Sequence, residues 1–169
     1  MQYLRKLIQA VQHPLLCIFA CFLCGCEGTT FRSSVPAYPV HAVIDTRAEF
    51  IDFTPENLNA YITVDKDGYK KNGKFVRLLT VQDYWGYGGI VVYVSMAGYV
   101  AFDLACPACA LKAQKSPCEM HGMYAVCPVC GEEYELGSGY ALPRNHISKE
   151  ALRKLRITHS GDKLIISQQ

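Results

Sequence analysis

The sequence has almost no net charge. Its 169 residues include 17 Lys and Arg against 15 Asp and Glu, and the basic residues do not gather into a run. Proteins that bind nucleic acid through its phosphates carry a basic face or a basic segment. We therefore expect no nucleic acid among the partners of this protein.

Catalytic motifs are also missing. The sequence contains no nucleophile elbow, no glycine-rich phosphate-binding loop and no His-Glu-x-x-His pair. The adjacent acids Glu132 and Glu133 fall on a predicted strand, where neighbouring residues face opposite sides. We expect a binding, structural or electron-carrying module rather than an enzyme.

No segment is apolar for long enough to form a permanent transmembrane helix, which needs about 20 residues. An apolar run covers residues 15–24, and Arg5 and Lys6 precede it. A positive segment followed by a short apolar run is typical of an export signal, and the alternative is a buried N-terminal helix. We predict a signal peptide over residues 1–25, whose two basic residues account for the whole charge excess.

The leader ends in Leu23-Cys24-Gly25-Cys26, which resembles the lipobox of bacterial lipoproteins. The resemblance implies cleavage before Cys26 and attachment of diacylglycerol to that cysteine. Glu27 follows it, rather than the aspartate that retains such proteins in an inner membrane. We therefore expect a lipid anchor in the cell envelope, in the outer membrane and facing the periplasm.

The mature chain divides into a tether and one domain. Residues 26–39 combine Ser, Thr, Gly and two prolines without periodicity, which indicates a tether, and the domain covers residues 40–169. Alternating apolar residues between Gly-rich turns predict an antiparallel all-β fold, a β-sandwich or barrel. The predicted strands are 41–44, 60–64, 75–81, 90–95, 99–104, 134–136, 156–158 and 164–167. Short helical turns are expected at Thr54 and over residues 148–153.

Cysteine is abundant, with nine residues, and four of these form a pattern. Cys106-Pro-Ala-Cys109 and Cys127-Pro-Val-Cys130-Gly131 are separated by 17 residues, a spacing typical of metal sites. Two cysteines three apart on a tight turn aim both sulfurs at one point, and a glycine such as Gly131 adopts positive φ where the chain leaves the turn. We predict a metal-binding subdomain over loops 104–136, with Cys106, Cys109, Cys127 and Cys130 holding Zn²⁺, one iron or an iron–sulfur cluster.

Two other interpretations of these cysteines remain open at this stage. The cysteines could form disulfides, which an exported protein tolerates. Alternatively, Cys106-Pro-Ala-Cys109 could be the redox motif of a thiol–disulfide protein, although the segment after it is short for the long helix of that fold. Cys118 and His121 lie between the two motifs and are possible secondary ligands.

These motifs resemble the Rieske fold, over residues 75–169. In that family two boxes, Cys-x-His and Cys-x-x-His, lie on loops above an antiparallel β-structure. Cys106 and Cys127 match the cysteine ligands, whereas Ala108 and Cys130 occupy the histidine positions and Cys109 follows one step later. The resemblance thus implies a Rieske-like domain whose histidine ligands are replaced by cysteine.

The resemblance also implies a function in electron transfer to a redox protein partner, with an all-cysteine [2Fe–2S] cluster or a rubredoxin-like iron. The leader lacks the paired arginines that direct folded Rieske proteins across a membrane, because Lys6 follows Arg5. The chain is therefore expected to cross unfolded and to acquire its metal outside, which favours a structural zinc site.

Overall fold

The computed structural model describes residues 33–169, so the predicted signal peptide and Cys26 lie outside the described residues. The strands are β1 (Val40–Asp45), β2 (Tyr61–Asp65), β3 (Gly68–Lys71), β4 (Lys74–Arg77), β5 (Tyr84–Trp85), β6 (Ile90–Ser95), β7 (Gly98–Asp103), β8 (Glu119–His121), β9 (Tyr124–Val126), β10 (Glu133–Glu135), β11 (Leu142–Pro143), β12 (Lys154–Ser160) and β13 (Lys163–Ser167). A helix of four residues, α1 (Pro107–Ala110), lies between β7 and β8. In this part of the chain no helix has the length and apolar character needed to cross a membrane.

Two antiparallel sheets make up the domain, which confirms the predicted all-β fold. The larger sheet has nine strands in the order β4-β3-β2-β6-β7-β12-β13-β1-β5, and the smaller has four in the order β11-β10-β9-β8. Each of the eight predicted strands overlaps an observed one. The sequence did not reveal β3, β5, β8, β9 and β11, which have two to four residues each.

Strand β6 joins two hydrophobic cores. All six of its residues are buried, which explains the unbroken apolar run over its first five residues. Ile90, Val92 and Val94 point into a core formed within the large sheet, together with Phe50 and Phe53 from the loop after β1. The residues between them, Val91 and Tyr93, face a second core beneath the small sheet and the cysteine loops. The cysteine loops are thus packed on the large sheet.

The two ends of the large sheet approach each other, as in a barrel. Arg77 of β4 donates a hydrogen bond of 3.1 Å from Nη2 to the carbonyl oxygen of Val43 in β1. The same guanidinium lies 3.7 Å above the ring of Tyr69 in β3. Side chains therefore link the strands where backbone pairing stops.

The helix expected over residues 148–153 is absent, and that prediction was wrong. Ser148 donates its backbone N–H to Glu132 and its hydroxyl to the carbonyl oxygen of Glu150. These bonds hold the segment in an irregular path, because Ser side chains compete for backbone groups that a helix would use.

At Thr54 the chain forms one hydrogen-bonded turn, closed by the N–H of Asn57 at 3.1 Å.

The described part of the predicted tether lies against the domain. The hydroxyl of Ser34 donates to Glu150 at 2.7 Å, and Arg153 donates to the carbonyl oxygen of Val35 at 2.7 Å. The side chain of Val35 is buried. Residues 34 and 35 are therefore fixed to the segment that precedes β12.

Candidate metal centre

The structure brings the four predicted cysteines together. Their Sγ atoms all lie within 4.8 Å of one another, and three of the four residues are buried while Cys130 is half-buried. The Sγ atoms of Cys106 and Cys130 are 3.6 Å apart, and so are those of Cys109 and Cys127. Each short distance joins one motif to the other.

The first motif is shaped by α1. Cys106 precedes the helix and Pro107 occupies its first turn, where the missing N–H of proline costs no hydrogen bond. The N–H of Ala110 donates to the carbonyl oxygen of Cys106 at 3.0 Å, which closes the turn around both sulfurs. This one turn, rather than a long helix, places Cys109 beside Cys106.

The second motif closes in the same way without forming a helix. The N–H of Gly131 donates to the carbonyl oxygen of Cys127 at 2.9 Å, and the N–H of Cys127 donates to the carbonyl oxygen of Glu132 at 2.8 Å. Gly131 has a φ of +74°, as the sequence predicted for the residue after the fourth cysteine. The two motifs are thus similar turns that face each other.

Two hydroxyl groups contact the sulfurs from the surrounding shell. The Tyr134 hydroxyl lies 3.4 Å from the Sγ of Cys106, and the Ser116 hydroxyl lies 3.2 Å from the Sγ of Cys127. A hydroxyl that donates to a thiolate stabilises its negative charge. Neither residue was predicted from the sequence to belong to the site. The position of Tyr134, four residues after Cys130, was the available signal.

Hydrogen bonding and burial shift the pKa values of three cysteines of the site in different directions. The hydrogen bond from Cys118 outweighs burial and, with that from Tyr134, lowers the pKa of Cys106 to about 4. Burial raises the pKa of Cys130 to about 11 and also raises the pKa of Cys109. A divalent cation among these sulfurs supplies the positive charge that favours their ionisation.

The two secondary candidates occupy different environments. Cys118 is buried, and its interaction with Cys106 raises the pKa of its own thiol. His121 is exposed on β8, with its Nε2 atom 3.9 Å from a carboxylate oxygen of Glu119. Neither residue belongs to the group of four sulfurs.

Two buried carboxylates anchor the cysteine loops. Asp103 accepts the backbone N–H groups of Tyr87, Gly88 and Ala105, each within 2.9 Å. It therefore ties the end of β7, just before Cys106, to a neighbouring loop.

Glu132 does the same for the second motif. Its carboxylate accepts the N–H groups of Glu133, Asn145 and Ser148 at 3.1, 2.8 and 2.7 Å. Glu132 is completely buried, whereas the sequence analysis treated the acidic pair only as part of a strand. An acid directly after a Cys-x-x-Cys-Gly motif was the only available signal.

The two alternative interpretations do not fit this geometry. The five cysteines of the described chain are all free, and distances of 3.6 Å are far longer than a disulfide bond of about 2.0 Å. The redox motif of a thiol–disulfide protein opens a long helix, whereas α1 ends at Ala110.

A single ion fits the donor set. Tetrahedral ligands at a Zn–S distance of about 2.3 Å lie about 3.8 Å from one another. The shortest sulfur separations, 3.6 Å, are close to that value. Four convergent, largely buried sulfurs are typical of zinc or iron sites.

Comparison with known proteins adds little to this description. No protein-family model matches the chain, and no curated protein matches it. One similar solved structure is a chain of the complex of reduced oxygenase and oxidized ferredoxin in carbazole 1,9a-dioxygenase. It has 10% sequence identity and a TM-score of 0.39, and the match covers 67% of this chain and 84% of that chain.

Proposed function

We propose that this protein is a lipid-anchored envelope protein whose domain binds one metal ion through Cys106, Cys109, Cys127 and Cys130. The observation that carries the proposal is the convergence of the four sulfurs within 4.8 Å. The ion would link the two cysteine turns to each other. The best-supported function is thus that of a structural zinc or iron site in a non-enzymatic module.

The sulfur separations support one ion over a two-iron cluster. In a [2Fe–2S] cluster each iron takes two cysteines, and the bridging sulfides keep the two ligand pairs further apart than one ion does. Here the separations across the motifs are as short as 3.6 Å, and none exceeds 4.8 Å. Zinc needs no assembly machinery, which suits a chain expected to fold after export.

Electron transfer through a single iron is the second candidate, and the hydroxyl groups around the sulfurs favour it. Hydrogen bonds to cysteine sulfur tune the reduction potential of iron sites. Tyr134 and Ser116 both contact a sulfur, and Cys130 is half-buried at the edge of the site. A redox protein in the same membrane would then be the partner.

Metal analysis of the purified full chain, combined with visible absorption, distinguishes the two functions. One zinc per chain and a colourless protein support the structural site and contradict the electron carrier. One iron per chain, with sulfur-to-iron bands that bleach on reduction, supports the electron carrier. A protein without bound metal contradicts both.

The anchor is tested separately, because it rests on the leader alone. Cys26→Ser removes the sulfur that would carry the lipid, so we expect this variant to lose acylation and to leave the membrane fraction. Mass spectrometry of the N-terminal peptide gives the result. Acylation that persists in the variant contradicts the lipobox assignment without affecting the metal site.

A further inference from the structure

From β4 to β5 the chain presents four exposed apolar side chains, which we call the apolar ridge. Its members are Phe75, Leu78, Val81 and Tyr84, with exposed fractions of 58%, 72%, 95% and 51%. Single exposed apolar residues are common on proteins, but several within ten residues of chain indicate a contact surface.

The tip of the ridge is held rigidly. The carboxylate of Asp83 accepts the N–H of Thr80 at 2.7 Å and its hydroxyl at 2.9 Å, and the N–H of Asp83 donates to the carbonyl oxygen of Thr80 at 3.1 Å. Val81 is therefore a central residue of a tight turn. Such positions favour Gly, Pro, Asn, Asp or Ser, so the turn itself does not require a valine.

The base of the ridge is continuous. A Cβ atom added at Gly68 would come within 3.1 Å of the ring of Phe75 and 3.2 Å of the Cα atom of Leu78, so these two residues lie side by side over β3. Gly68 has a φ of +123°, and because it has no Cβ atom it leaves room for these two residues to pack over it. Phe75 and Leu78 thus form one apolar pair, three residues before Val81 along the chain.

The ridge lies beside the segment that leads toward the predicted anchor. Nδ1 of His41 is 2.9 Å from the carbonyl oxygen of Gln82, and Gly86 donates its N–H to the carbonyl oxygen of Pro39 at 3.0 Å. These bonds connect both sides of the turn to the start of β1. Ser34 is fixed to the domain, and it follows Cys26 by eight residues.

We propose that the apolar ridge rests on the surface of a lipid bilayer. The inference depends on the proposed anchor at Cys26, because eight extended residues reach at most about 28 Å and so keep the domain next to the membrane. A tether of this length gives the ridge a high effective concentration at the bilayer, so a small apolar surface suffices. Val81 and Leu78 would enter the boundary between headgroups and acyl chains.

The charges around the ridge suit this surface. Arg77 and Asp83 lie 3.5 Å apart and balance each other. Lys74, at the start of β4, is exposed and forms no ion pair with another described residue. A positive charge next to an apolar contact favours the anionic headgroups of a membrane.

The proposal is tested with two tryptophan variants of the full chain, Val81→Trp and Met96→Trp. Both positions are highly exposed, at 95% and 89%, so a larger side chain is tolerated at each. Met96 lies in the turn from β6 to β7, directly after the last residue of β6. The ridge lies at the other end of these strands, where Ile90 of β6 pairs with Val64 of β2 and Tyr69 of β3 pairs with Arg77 of β4. It is therefore a matched control away from the ridge.

Each lipidated variant is reconstituted into vesicles of phosphatidylethanolamine and phosphatidylglycerol whose acyl chains carry bromine, which quenches tryptophan only at short range. We expect the tryptophan emission of Val81→Trp to lie at shorter wavelength than that of Met96→Trp. We also expect its intensity to be lower in brominated vesicles than in unbrominated ones. We expect no quenching beyond the wild-type level for Met96→Trp.

The remaining outcomes separate the ridge from the anchor. Equal quenching of both variants, or none while the protein still floats with the vesicles, overturns the ridge and leaves the anchor intact. A chain without acylation at Cys26 overturns both. If Val81→Trp emission depends on protein concentration but not on bromine, the ridge contacts a second copy of the chain, and the membrane proposal is wrong.

Discussion

The hydroxyl of Tyr69 donates a hydrogen bond of 2.6 Å to Asp83 and at the same time accepts the backbone N–H of Val43 at 3.2 Å. Tyr69 lies in β3 and Val43 in β1, and these strands do not pair with each other. One buried hydroxyl therefore joins the two ends of the large sheet and the turn before β5.

Tyr69→Phe should destabilise the domain by about 1–2 kcal/mol, because the substitution removes the hydroxyl that bonds the N–H of Val43 and the Oδ1 atom of Asp83. Urea unfolding followed by far-UV circular dichroism measures the change. Tyr140→Phe is the control, since Tyr140 is 63% exposed and its substitution should change stability by less than about 0.5 kcal/mol. Equal effects in the two variants would show that the bond contributes nothing.

Stability should also fall in acid because of Asp83. Burial opposes ionisation of this carboxyl, but hydrogen bonds from Tyr69 and Thr80 outweigh burial and lower its pKa below the ordinary value of 3.8. As the pH falls, the unfolded chain therefore takes up a proton at this carboxyl at a higher pH than the folded chain does. The stabilisation is lost as the pH falls from 3.8 through the folded pKa. In Asp83→Asn the loss over this pH range should be smaller, which urea titrations from neutral pH down to about 3 can measure. An unchanged acid limb would rule out Asp83 as its source.

Glu132→Gln tests the support of the second cysteine turn. The amide offers one acceptor oxygen where the carboxylate accepts three N–H groups, so we expect a loss of about 1–3 kcal/mol and faster release of metal to a chelator. Glu133→Gln is the neighbouring control, because Glu133 is half-buried and only pairs with Arg144 at 3.4 Å. If both variants release metal at the wild-type rate, Glu132 does not position the ligands.

Cys130→Ser and Cys118→Ser separate a ligand from a neighbouring thiol. We expect Cys130→Ser to lose most of its metal, because a serine oxygen is a poor substitute in a four-sulfur site. Cys118→Ser should keep its metal, because Cys118 lies outside the group of four sulfurs. Metal content per chain after dialysis against a weak chelator gives both results. The opposite pattern would assign Cys118 as the ligand.

Tyr134→Phe should lower the reduction potential of the protein loaded with iron. The hydroxyl lies 3.4 Å from the Sγ of Cys106 and stabilises negative charge, which is greatest in the reduced site. Its removal should shift the potential by an amount equivalent to roughly 1 kcal/mol. Tyr124→Phe provides a control, since its ring packs under Arg144 rather than against a sulfur. A potential unchanged from wild type means that Tyr134 does not donate to the site.

The large sheet could be predicted from the sequence because its strands carry a clear apolar pattern. β6 and β7 are long and joined by the turn before Gly98, and in β1 and β13 buried residues alternate with more exposed ones. Of the small sheet only β10 was predicted, since strands of two or three residues such as β8 and β11 are too short for any periodicity. They exist because the cysteine loops and the second core hold them.

The candidate ligands were predictable from spacing alone, but their environment was not. Two Cys-x-x-Cys motifs require only local turns, which Pro107 and Gly131 encode. Ser116 reaches Cys127, and Glu132 reaches Asn145 and Ser148, only through tertiary folding. Sequence patterns contain no information on such contacts between distant segments, so these residues became visible only in the structure.

The hairpin of β8 and β9 lies wholly between the two cysteine turns, so an ion held by both turns would act as a cross-link across this stretch of chain. Closing a loop of about 15 residues lowers the entropy of an unfolded chain enough to contribute about 3 kcal/mol. Unlike a disulfide, this cross-link would depend on the free concentration of the metal rather than on the redox state of the compartment. Local unfolding of the hairpin would then report metal supply around the protein.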